Sequence, residues 1–472
     1  MAFRSRLRAS TAARFELARA IGDLIAWIPR FVWYLLVSRR GHERRVRADL
    51  DAEPCLPIEP AGELHWHRAP RFLLAAAEES GETHLRNLAR AIRSEAQAAG
   101  LPAPELCALG SPGLAAEGMT VLADPVPNAT LHAKGIAGAL PFYVGLLRTA
   151  GECFRGDGDG PGIDRFVPVD SPALFVPMAR IARGYGVPSW HFIAPQFWGW
   201  APWRVGRYRR NVAHAFTILP FEPHWYARHR VAVTPVGHPL LDELAHLPPP
   251  PAPRDAARTR CVLLPGSRGS EIEDNLAWML DALAPLAKAA PSMRFVIAQQ
   301  QGRHAERIQA ILASHPAGAR VALEIGDLHG TLRDVRIALA VSGTVLTDLL
   351  VHRIPAVVIY RDPGGWKGKL KDRLLTTGFF ASTNLVAGRA VLPEYCFGHE
   401  GPLAQVGQDL VDLGLDGDRR DRVLADLDEV AHRLGGPGAC RRTARALLLD
   451  WTQDPKARLD GAGPAVENTR PA

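Results

Sequence analysis

The stretch Cys261-Val-Leu-Leu-Pro-Gly-Ser-Arg-Gly-Ser-Glu-Ile272 indicates the fold of this chain most directly. An apolar run, predicted to be a strand over Arg260–Leu264, leads into a tight Gly-Ser turn and then into a helix predicted over Ile272–Ala289. A strand–turn–helix joint of this kind leaves free backbone N–H groups at the positive end of a helix dipole, where a phosphate can sit. Arg268 adds a planar guanidinium that suits phosphate oxygens. The stretch predicts binding of a phosphate-bearing ligand, and an ordinary structural joint is the alternative.

A second turn of the same kind lies in Val341-Ser-Gly-Thr-Val-Leu-Thr-Asp348. Ser342, Gly343 and Thr344 would begin a helix and expose N–H groups, and Asp348 would lie one turn inside it, within reach of a ribose hydroxyl. Simple helix capping is the alternative. Neither turn is a Walker A loop or a G-x-G-x-x-G fingerprint, which argues against ordinary NTP or NAD chemistry.

Strands alternate with helices on both sides of a proline-rich break, Leu247-Pro-Pro-Pro-Pro-Ala-Pro-Arg254. Such alternation predicts parallel sheets, and two such halves predict an α/β fold of two facing, doubly wound Rossmann-like domains. Ligands would then lie at the carboxyl ends of the strands, in the cleft. The expected divisions are an N-terminal extension (1–68), a first domain (69–246), a linker (247–257), a second domain (258–402), C-terminal helices (403–452) and a disordered tail (453–472).

The net charge of +7 comes from the N-terminus, since residues 1–50 hold eleven Arg and four Asp or Glu, and 11 − 4 = 7. A nucleic-acid surface across the body is therefore not expected. Six cysteines without CxxC spacing indicate neither a zinc ribbon nor a disulfide framework, which fits a cytoplasmic protein.

The basic N-terminus also has amphipathic character. Apolar residues at helical spacing between Ile21 and Leu35 are accompanied by Trp27, Trp33 and Tyr34, but Asp23 and Arg30 break any span long enough to cross a bilayer. We expect a helix that lies in the plane of an anionic membrane surface, peripheral on the cytoplasmic face. A helix that caps the core or binds a partner is the alternative.

Two features of the first half could carry chemistry. Asp170 ends a predicted strand, where a carboxylate could remove a proton from a hydroxyl, although the spacing alone favours capping of the following helix. Pro195-Gln-Phe-Trp-Gly-Trp200 with Trp203 is followed by Arg204, Arg207, Arg209 and Arg210. Aromatic and basic side chains together could hold a sugar or acyl chain and a phosphate, and a packed loop before a solvated helix is the alternative.

Taken in order, the motifs of this chain resemble those of the lipid-A-disaccharide synthases, which are inverting glycosyltransferases of the two-Rossmann GT-B architecture. The resemblance runs from Phe72 to Pro393. It rests on Ala76-Ala-Glu-Glu-Ser-Gly-Glu82, Val169-Asp-Ser-Pro172, Pro195-Gln-Phe-Trp-Gly-Trp200, Leu219-Pro-Phe-Glu222 with Tyr226, Gly237-His-Pro239, Leu264-Pro-Gly-Ser-Arg268 with Glu271, Ser342-Gly-Thr344, and Asn384 before Pro393-Glu394.

The resemblance implies transfer of 2,3-diacylglucosamine from UDP to the 6-hydroxyl of 2,3-diacylglucosamine 1-phosphate, with inversion and without a metal or other cofactor. Asp170 would be the general base. The donor would be held by Gly266, Ser267, Arg268, Ser342, Gly343, Thr344 and Asp348. The acceptor would be held by Glu78, Ser80, Gly81, Gln196 and Trp198.

The chain departs from the family pattern mainly on the acceptor side. The departures are Ala77, Glu82, Ala173-Leu-Phe175, Asp348 and Tyr395-Cys-Phe397. They leave open a UDP-sugar transferase or epimerase with another acceptor, or a non-catalytic membrane-associated paralogue. The oligomeric state is not indicated by the sequence.

Overall fold

The structure is a computed structural model, which describes residues 22, 26–27, 29–126, 135–156, 162–249, 252, 258–361 and 377–458. In the helix Gly135–Arg155, the side chains are described from residue 141 onward. The proline-rich linker predicted for 247–257 lies mostly outside the described residues. The predicted α/β fold class is confirmed, because each half contains a parallel sheet enclosed by helices.

The strands come in two sets. The first domain contains β1 (Arg71–Ala75), β2 (Glu105–Leu109), β3 (Thr120–Ala123), β4 (Arg165–Pro168), β5 (Trp190–Phe192), β6 (His214–Thr217) and β7 (Val233–Pro235). The second contains β8 (Arg260–Leu264), β9 (Arg294–Gln299), β10 (Val321–Ile325), β11 (Val335–Val341), β12 (Ala356–Arg361) and β13 (Glu394–Phe397). Most residues of the central strands are fully buried, as expected for parallel strands covered on both faces.

The helices surround these sheets. In chain order they are α1 (Arg39–Leu50), α2 (Glu79–Ala98), α3 (Gly135–Arg155), α4 (Pro172–Gly184), α5 (Val205–Asn211), α6 (Glu222–Arg228), α7 (Leu240–Leu244), α8 (Gly269–Ala282), α9 (Ala284–Ala289), α10 (Ala305–Ser314), α11 (Leu328–Arg333), α12 (Val345–Val351), α13 (Ser382–Ala387), α14 (Leu403–Gly414), α15 (Asp418–Leu434) and α16 (Ala439–Gln453). No helix in the described part of the chain is long and apolar enough to cross a bilayer.

The order of the strands determines where the candidate motifs lie in the fold. The first sheet runs β3-β2-β1-β4 and continues into β5-β6-β7 through the bridges Phe166–Ser189 and Val169–Phe192, and the second runs β10-β9-β8-β11-β12-β13. The order therefore reverses between β1 and β4 and between β8 and β11. Ligands of doubly wound sheets bind at the carboxyl ends of strands at such reversals. The motifs at 76–82, 169–172, 264–268 and 342–344 follow β1, β4, β8 and β11, so all four lie at these points.

The last helix returns to the first domain. Helix α14 packs against α9 in the second domain, whereas α16 packs along α2 in the first. The carboxylate of Asp242 accepts hydrogen bonds from the first N–H groups of α16, including those of Ala439 (3.0 Å) and Cys440 (2.7 Å). The predicted disordered tail is wrong at its start, because the chain remains folded to Arg458 and Ala457 is buried. Residues 459–472 lie outside the described residues.

Part of the predicted N-terminal extension is helical and forms α1. This helix contacts both domains. The Nε2 atom of His42 lies 3.1 Å from the carbonyl oxygen of Trp198, and Arg228 pairs with the buried Asp49. At the other end of α1, the Leu50 carbonyl lies against Gly388 of the second domain. The N-terminal extension is therefore an integral part of the fold from about residue 29 onward.

Candidate active site

The acceptor side of the cleft begins where β1 ends. Glu78 and Ser80 are exposed there, at the start of α2. Gly81 is buried and packs near Ala76 and Val169, which would lie 3.5 and 3.9 Å from an added Cβ atom. Since Val169 directly precedes Asp170, the turns after β1 and β4 lie side by side, as the sequence predicts.

Asp170 is fixed by its backbone. Its N–H donates to the carbonyl of Phe192 (3.1 Å), and its carbonyl accepts from Nε2 of the buried His191 (2.8 Å). Burial lowers the pKa of His191 to about 4, so the imidazole is neutral near pH 7. Asp170 and Ser171 both have positive φ values, of 49° and 45°, and Ser171 makes no side-chain cap bond to α4. Backbone strain of this kind is concentrated at functional sites, so the strained turn supports a functional role for the Asp170 carboxylate.

The Asp170 side chain is exposed in the cleft, yet its pKa is raised. The main cause is desolvation by the surrounding cleft walls, and the negative charge of Glu78 adds to it. A carboxylate whose conjugate acid has a raised pKa is a stronger base than an ordinary aspartate. The position therefore suits a general base.

The aromatic motif is only partly in the cleft. Gln196 is exposed, as expected of a ligand contact. Trp198, by contrast, is buried in the core, where its indole N–H donates to Glu222 (3.0 Å) and its ring lies across Phe221. The structure therefore does not support the assignment of Trp198 to acceptor binding, because its side chain is enclosed by the first domain.

The side chain of Glu222 links the aromatic motif at 195–200 to the motif Leu219-Pro-Phe-Glu222. Its fully buried carboxylate also accepts from the N–H groups of Ile218 (2.9 Å) and Leu219 (3.0 Å). Burial raises its pKa to about 7. The hydroxyl of Tyr226 donates to the Pro195 carbonyl in the same region. These residues hold the loop after β5 onto the turn after β6, a structural role that the motif spacing alone does not reveal.

On the donor side, Gly266 adopts φ +120°, a backbone region open to glycine. A Cβ atom there would lie 2.5 Å from Oε2 of Glu271. The expectation of free N–H groups in this turn is wrong for two of them: Ser267 (3.1 Å) and Arg268 (3.4 Å) both donate to Glu271. The guanidinium of Arg268 is exposed and pairs with the other oxygen of Glu271 (2.7 Å). Glu271 therefore preforms the turn and holds the exposed guanidinium of Arg268 beside it.

The second donor turn follows β11. The Ser342 hydroxyl donates to the Phe380 carbonyl (2.9 Å), and its N–H donates to Ile359, so this serine braces the turn. Gly343 and Thr344 are exposed at the start of α12. Asp348 is almost fully buried one turn later, and Nε2 of His329 lies 3.9 Å from its carboxylate.

Several charged side chains near the cleft were not predicted from the sequence. Glu243, on α7, contacts His84 on α2 at 3.0 Å, and it also acts electrostatically on Asp348 across the cleft. Arg303 of the second domain pairs with Glu79 of the first at 3.4 Å. Neither Glu243 nor Arg303 belongs to a recognisable motif, and only folding brings them to their partners. No group of three or more His, Cys, Asp or Glu side chains within the described ranges is arranged to hold a metal ion.

We predict that Asp348 makes stability depend on pH. Burial, with repulsion from Glu243, raises its pKa to about 7, above its ordinary value of 3.8. Ionisation therefore costs stability progressively as pH rises from about 4 to 7, on the order of 1–4 kcal/mol in all. Asp348→Asn should raise Tm relative to the parent at pH 8 and much less at pH 4.5, measured by calorimetry.

The exposed Asp281→Asn variant is the matched control for this titration. A Tm difference for Asp348→Asn that stayed constant from pH 4.5 to 8 would contradict the assignment of a raised pKa to Asp348.

Comparison with known proteins agrees with this geometry. The family model for lipid-A-disaccharide synthetase matches residues 72–447. The lipid-A-disaccharide synthase of Chromohalobacter salexigens is 31% identical over 335 residues, covering 69% of this chain and 83% of the relative. That of Myxococcus xanthus is 28% identical over 392 residues, covering 80% and 97%.

Among solved structures, the complex of S. aureus MnaA with UDP superimposes with a TM-score of 0.50 at 14% identity, covering 79% of this chain and 94% of that one. A likeness at this level of identity concerns the fold alone. The family match spans most of the chain, from β1 into α16. This chain therefore belongs to the lipid-A-disaccharide synthase family.

Proposed function

We propose that this chain is a lipid-A-disaccharide synthase that transfers 2,3-diacylglucosamine from UDP to the 6-hydroxyl of 2,3-diacylglucosamine 1-phosphate, with inversion. The observation that carries the proposal is the position of the four family motifs, each at the carboxyl end of a strand that flanks an order reversal. In two-domain α/β enzymes these positions form the ligand cleft. Binding of a UDP-sugar is further supported by the likeness in fold to the UDP complex of S. aureus MnaA.

The chemistry follows from the residues that face each other. The Asp170 carboxylate takes the proton from the acceptor hydroxyl, whose oxygen then attacks the anomeric carbon of the donor as the bond to UDP breaks. The diphosphate leaves with additional negative charge. Arg268 and the N-termini of α8 and α12 supply positive charge and N–H donors for it. In this proposal the reaction uses these groups and no cofactor.

Three of the residues that depart from the family pattern are buried outside the cleft. Glu82 is buried and accepts hydrogen bonds from Ser111, including one of 2.7 Å from its hydroxyl, so it supports the turn after β2. Ala77 and Phe175 are also buried. The longer side chain at position 82 therefore changes internal packing rather than acceptor recognition. This weakens the case for a UDP-sugar transferase or epimerase with a different acceptor, and for a non-catalytic paralogue.

Product analysis tests the proposal. The purified protein is incubated with UDP-2,3-diacylglucosamine and 2,3-diacylglucosamine 1-phosphate, and the lipid extract is analysed by mass spectrometry. We expect a tetraacyl disaccharide 1-phosphate together with UDP. Absence of the disaccharide from a preparation that binds UDP would overturn the acceptor assignment, and release of UDP with another acceptor would identify the alternative transferase.

We also propose that the protein docks on the inner face of the cytoplasmic membrane. The described residues before α1, 26–27 and 29–38, are helical and are called here the N-terminal helix. One side of this helix packs on the first domain, where Trp27, Phe31 and Tyr34 contact Trp203. The other side leaves four apolar side chains exposed, namely Val32, Trp33, Leu36 and Val37. Capping the core and docking on lipid are therefore compatible roles of opposite faces of one helix. Flanking arginines would favour an anionic surface.

Replacing Trp33 and Leu36 together by Ser should weaken binding to anionic vesicles at least about tenfold, because each buried apolar side chain contributes roughly 1.5–3 kcal/mol. Vesicle flotation measures this, with activity on detergent-solubilised substrates kept as a folding check. The matched control is Ile325→Ser with Leu403→Ser, which removes two exposed apolar side chains of the second domain. Equal flotation of the two double variants would contradict docking through this helix.

A further inference from the structure

A groove of about 740 Å³ lies between α4, α5 and the N-terminal helix, beside the candidate active site. Six arginines line it: Arg30, Arg180, Arg183, Arg204, Arg207 and Arg210. None of the described residues that line it is an Asp or Glu. The described lining of the groove is therefore rich in positive charge, although residues 51–472 as a whole, which include five of these arginines, have no net charge.

The arginines converge because of their spacing. Arg180 and Arg183 are three residues apart on α4, and Arg204, Arg207 and Arg210 repeat the same interval at the start of α5 and along it. Residues at this interval lie on one face of a helix. The two helices pack together, and Arg183 Nη1 donates to the Arg210 carbonyl at 2.6 Å, which holds the two rows side by side.

Neighbouring guanidinium groups in the groove repel one another. Arg204 shows the effect: burial and the positive charge of Arg207 both lower its pKa. An anionic ligand in the groove would offset this repulsion. Planar guanidinium groups bind phosphate oxygens in a bidentate manner, so a phosphate is the chemically matched anion.

The groove also has an apolar side. Phe197, Trp203 and Trp27 contribute rings, with the Arg204 guanidinium 5.1 Å from the Phe197 centroid and the rings of Trp27 and Trp203 6.4 Å apart. An anion without an apolar part would make no favourable apolar contact with these rings. An amphiphile that joins a phosphate to an acyl chain would use both sides of the groove.

One end of the groove is formed by Pro172 and Ala173, which follow Asp170 by two and three residues. We propose that the groove binds the phosphate and adjoining acyl chain of the acylated acceptor, and so presents its sugar hydroxyl to Asp170. This inference rests on the proposed function for the identity of the ligand. The same phosphate chemistry occurs in anionic membrane lipids, and the experiment distinguishes the two sources.

The test compares two neighbouring arginines of α5. Arg207 lines the groove, whereas Arg209 is exposed outside its lining and donates to the His229 carbonyl at 3.5 Å. Arg207→Gln should raise KM for 2,3-diacylglucosamine 1-phosphate in detergent about tenfold, with KM for the UDP donor unchanged within twofold. Arg209→Gln makes the same change of charge and should leave both values unchanged. With an acceptor that lacks the phosphate, Arg207→Gln should cause no further loss.

Direct binding separates this inference from the proposed function. Quenching of tryptophan fluorescence from Trp27 and Trp203 reports binding of the acylated sugar phosphate without any donor or turnover. Binding that depends on Arg207, in a protein that forms no disaccharide, would retain the groove and overturn the function. Transfer activity with identical behaviour of the Arg207 and Arg209 variants would retain the function and overturn the groove. Loss of flotation on anionic vesicles by Arg207→Gln, with an unchanged acceptor KM, would assign the groove to membrane lipid and overturn the acceptor site.

Discussion

Asp170→Asn should lower kcat by about 10²–10⁴-fold, the usual contribution of a positioned general base. The amide preserves the size of the side chain but cannot take the proton from the acceptor hydroxyl. The hydrogen bonds that fix this position involve the backbone of Asp170, with Phe192 and His191, so the turn should persist in the variant. Affinity for UDP, measured by calorimetry, should therefore stay within about twofold of the parent.

The pH dependence gives an independent check of this role. Because desolvation and Glu78 raise the pKa of Asp170, the parent kcat should fall as pH drops through that raised pKa, where the base becomes protonated. Glu79→Gln removes another exposed carboxylate at the same edge of the cleft and serves as control. An Asp170→Asn enzyme that retained parental kcat, with the same acidic limb in its profile, would show that another group accepts the proton.

Gly266→Ala should reduce UDP affinity roughly 30-fold or more. The φ value of +120° is strained for alanine, at about 1–3 kcal/mol, and the new methyl group would lie 2.6 Å from the Cβ of Glu271. Overpacking of that kind costs about 1–3 kcal/mol more. Either Glu271 moves or the turn opens, and in both cases the N–H groups of Ser267 and Arg268 lose their acceptor. Fluorescence or calorimetric titration with UDP measures the effect.

Gly145→Ala is the matched control for this substitution, because nothing lies within 4 Å of an added Cβ atom there and the backbone of α3 is helical. Its UDP affinity should equal that of the parent. Parental affinity in Gly266→Ala would contradict the assignment of the turn after β8 to the donor diphosphate. Measurement of Tm for both variants separates a local effect on the turn from general unfolding.

The sequence predicts the central strands and their turns well, because these are long, apolar and followed by a clear change of period. Strand Arg260–Leu264 is predicted with the observed bounds. Strands β3, β7 and β13 are short and less apolar, and the sequence does not reveal them. The helix predicted over 272–289 is divided into α8 and α9, since Pro285 cannot continue the first of them.

The sequence predicts a residue of the site only where the position of that residue depends on the conformation of the neighbouring backbone. A glycine in a tight turn after a strand, such as Gly266, can be recognised from the sequence, and so can Asp170 at the end of β4. The role of Trp198 cannot be predicted in this way, because a tryptophan in this motif could equally line the cleft or be buried and donate a hydrogen bond to Glu222, as it does here. The position of Glu243 depends on how the two domains face each other, which no stretch of sequence encodes by itself.

The return of α16 to the first domain has a consequence for synthesis of the chain. Leu88 and Ile92 of α2 share one apolar cluster with Leu447 and Trp451 of α16, so the first domain remains incomplete until the end of the chain leaves the ribosome. The second domain, in contrast, has all its strands well before that point. The domain that begins first is thus completed last, and cutting the gene at the proline-rich linker would release a first half with an uncovered, aggregation-prone helix face.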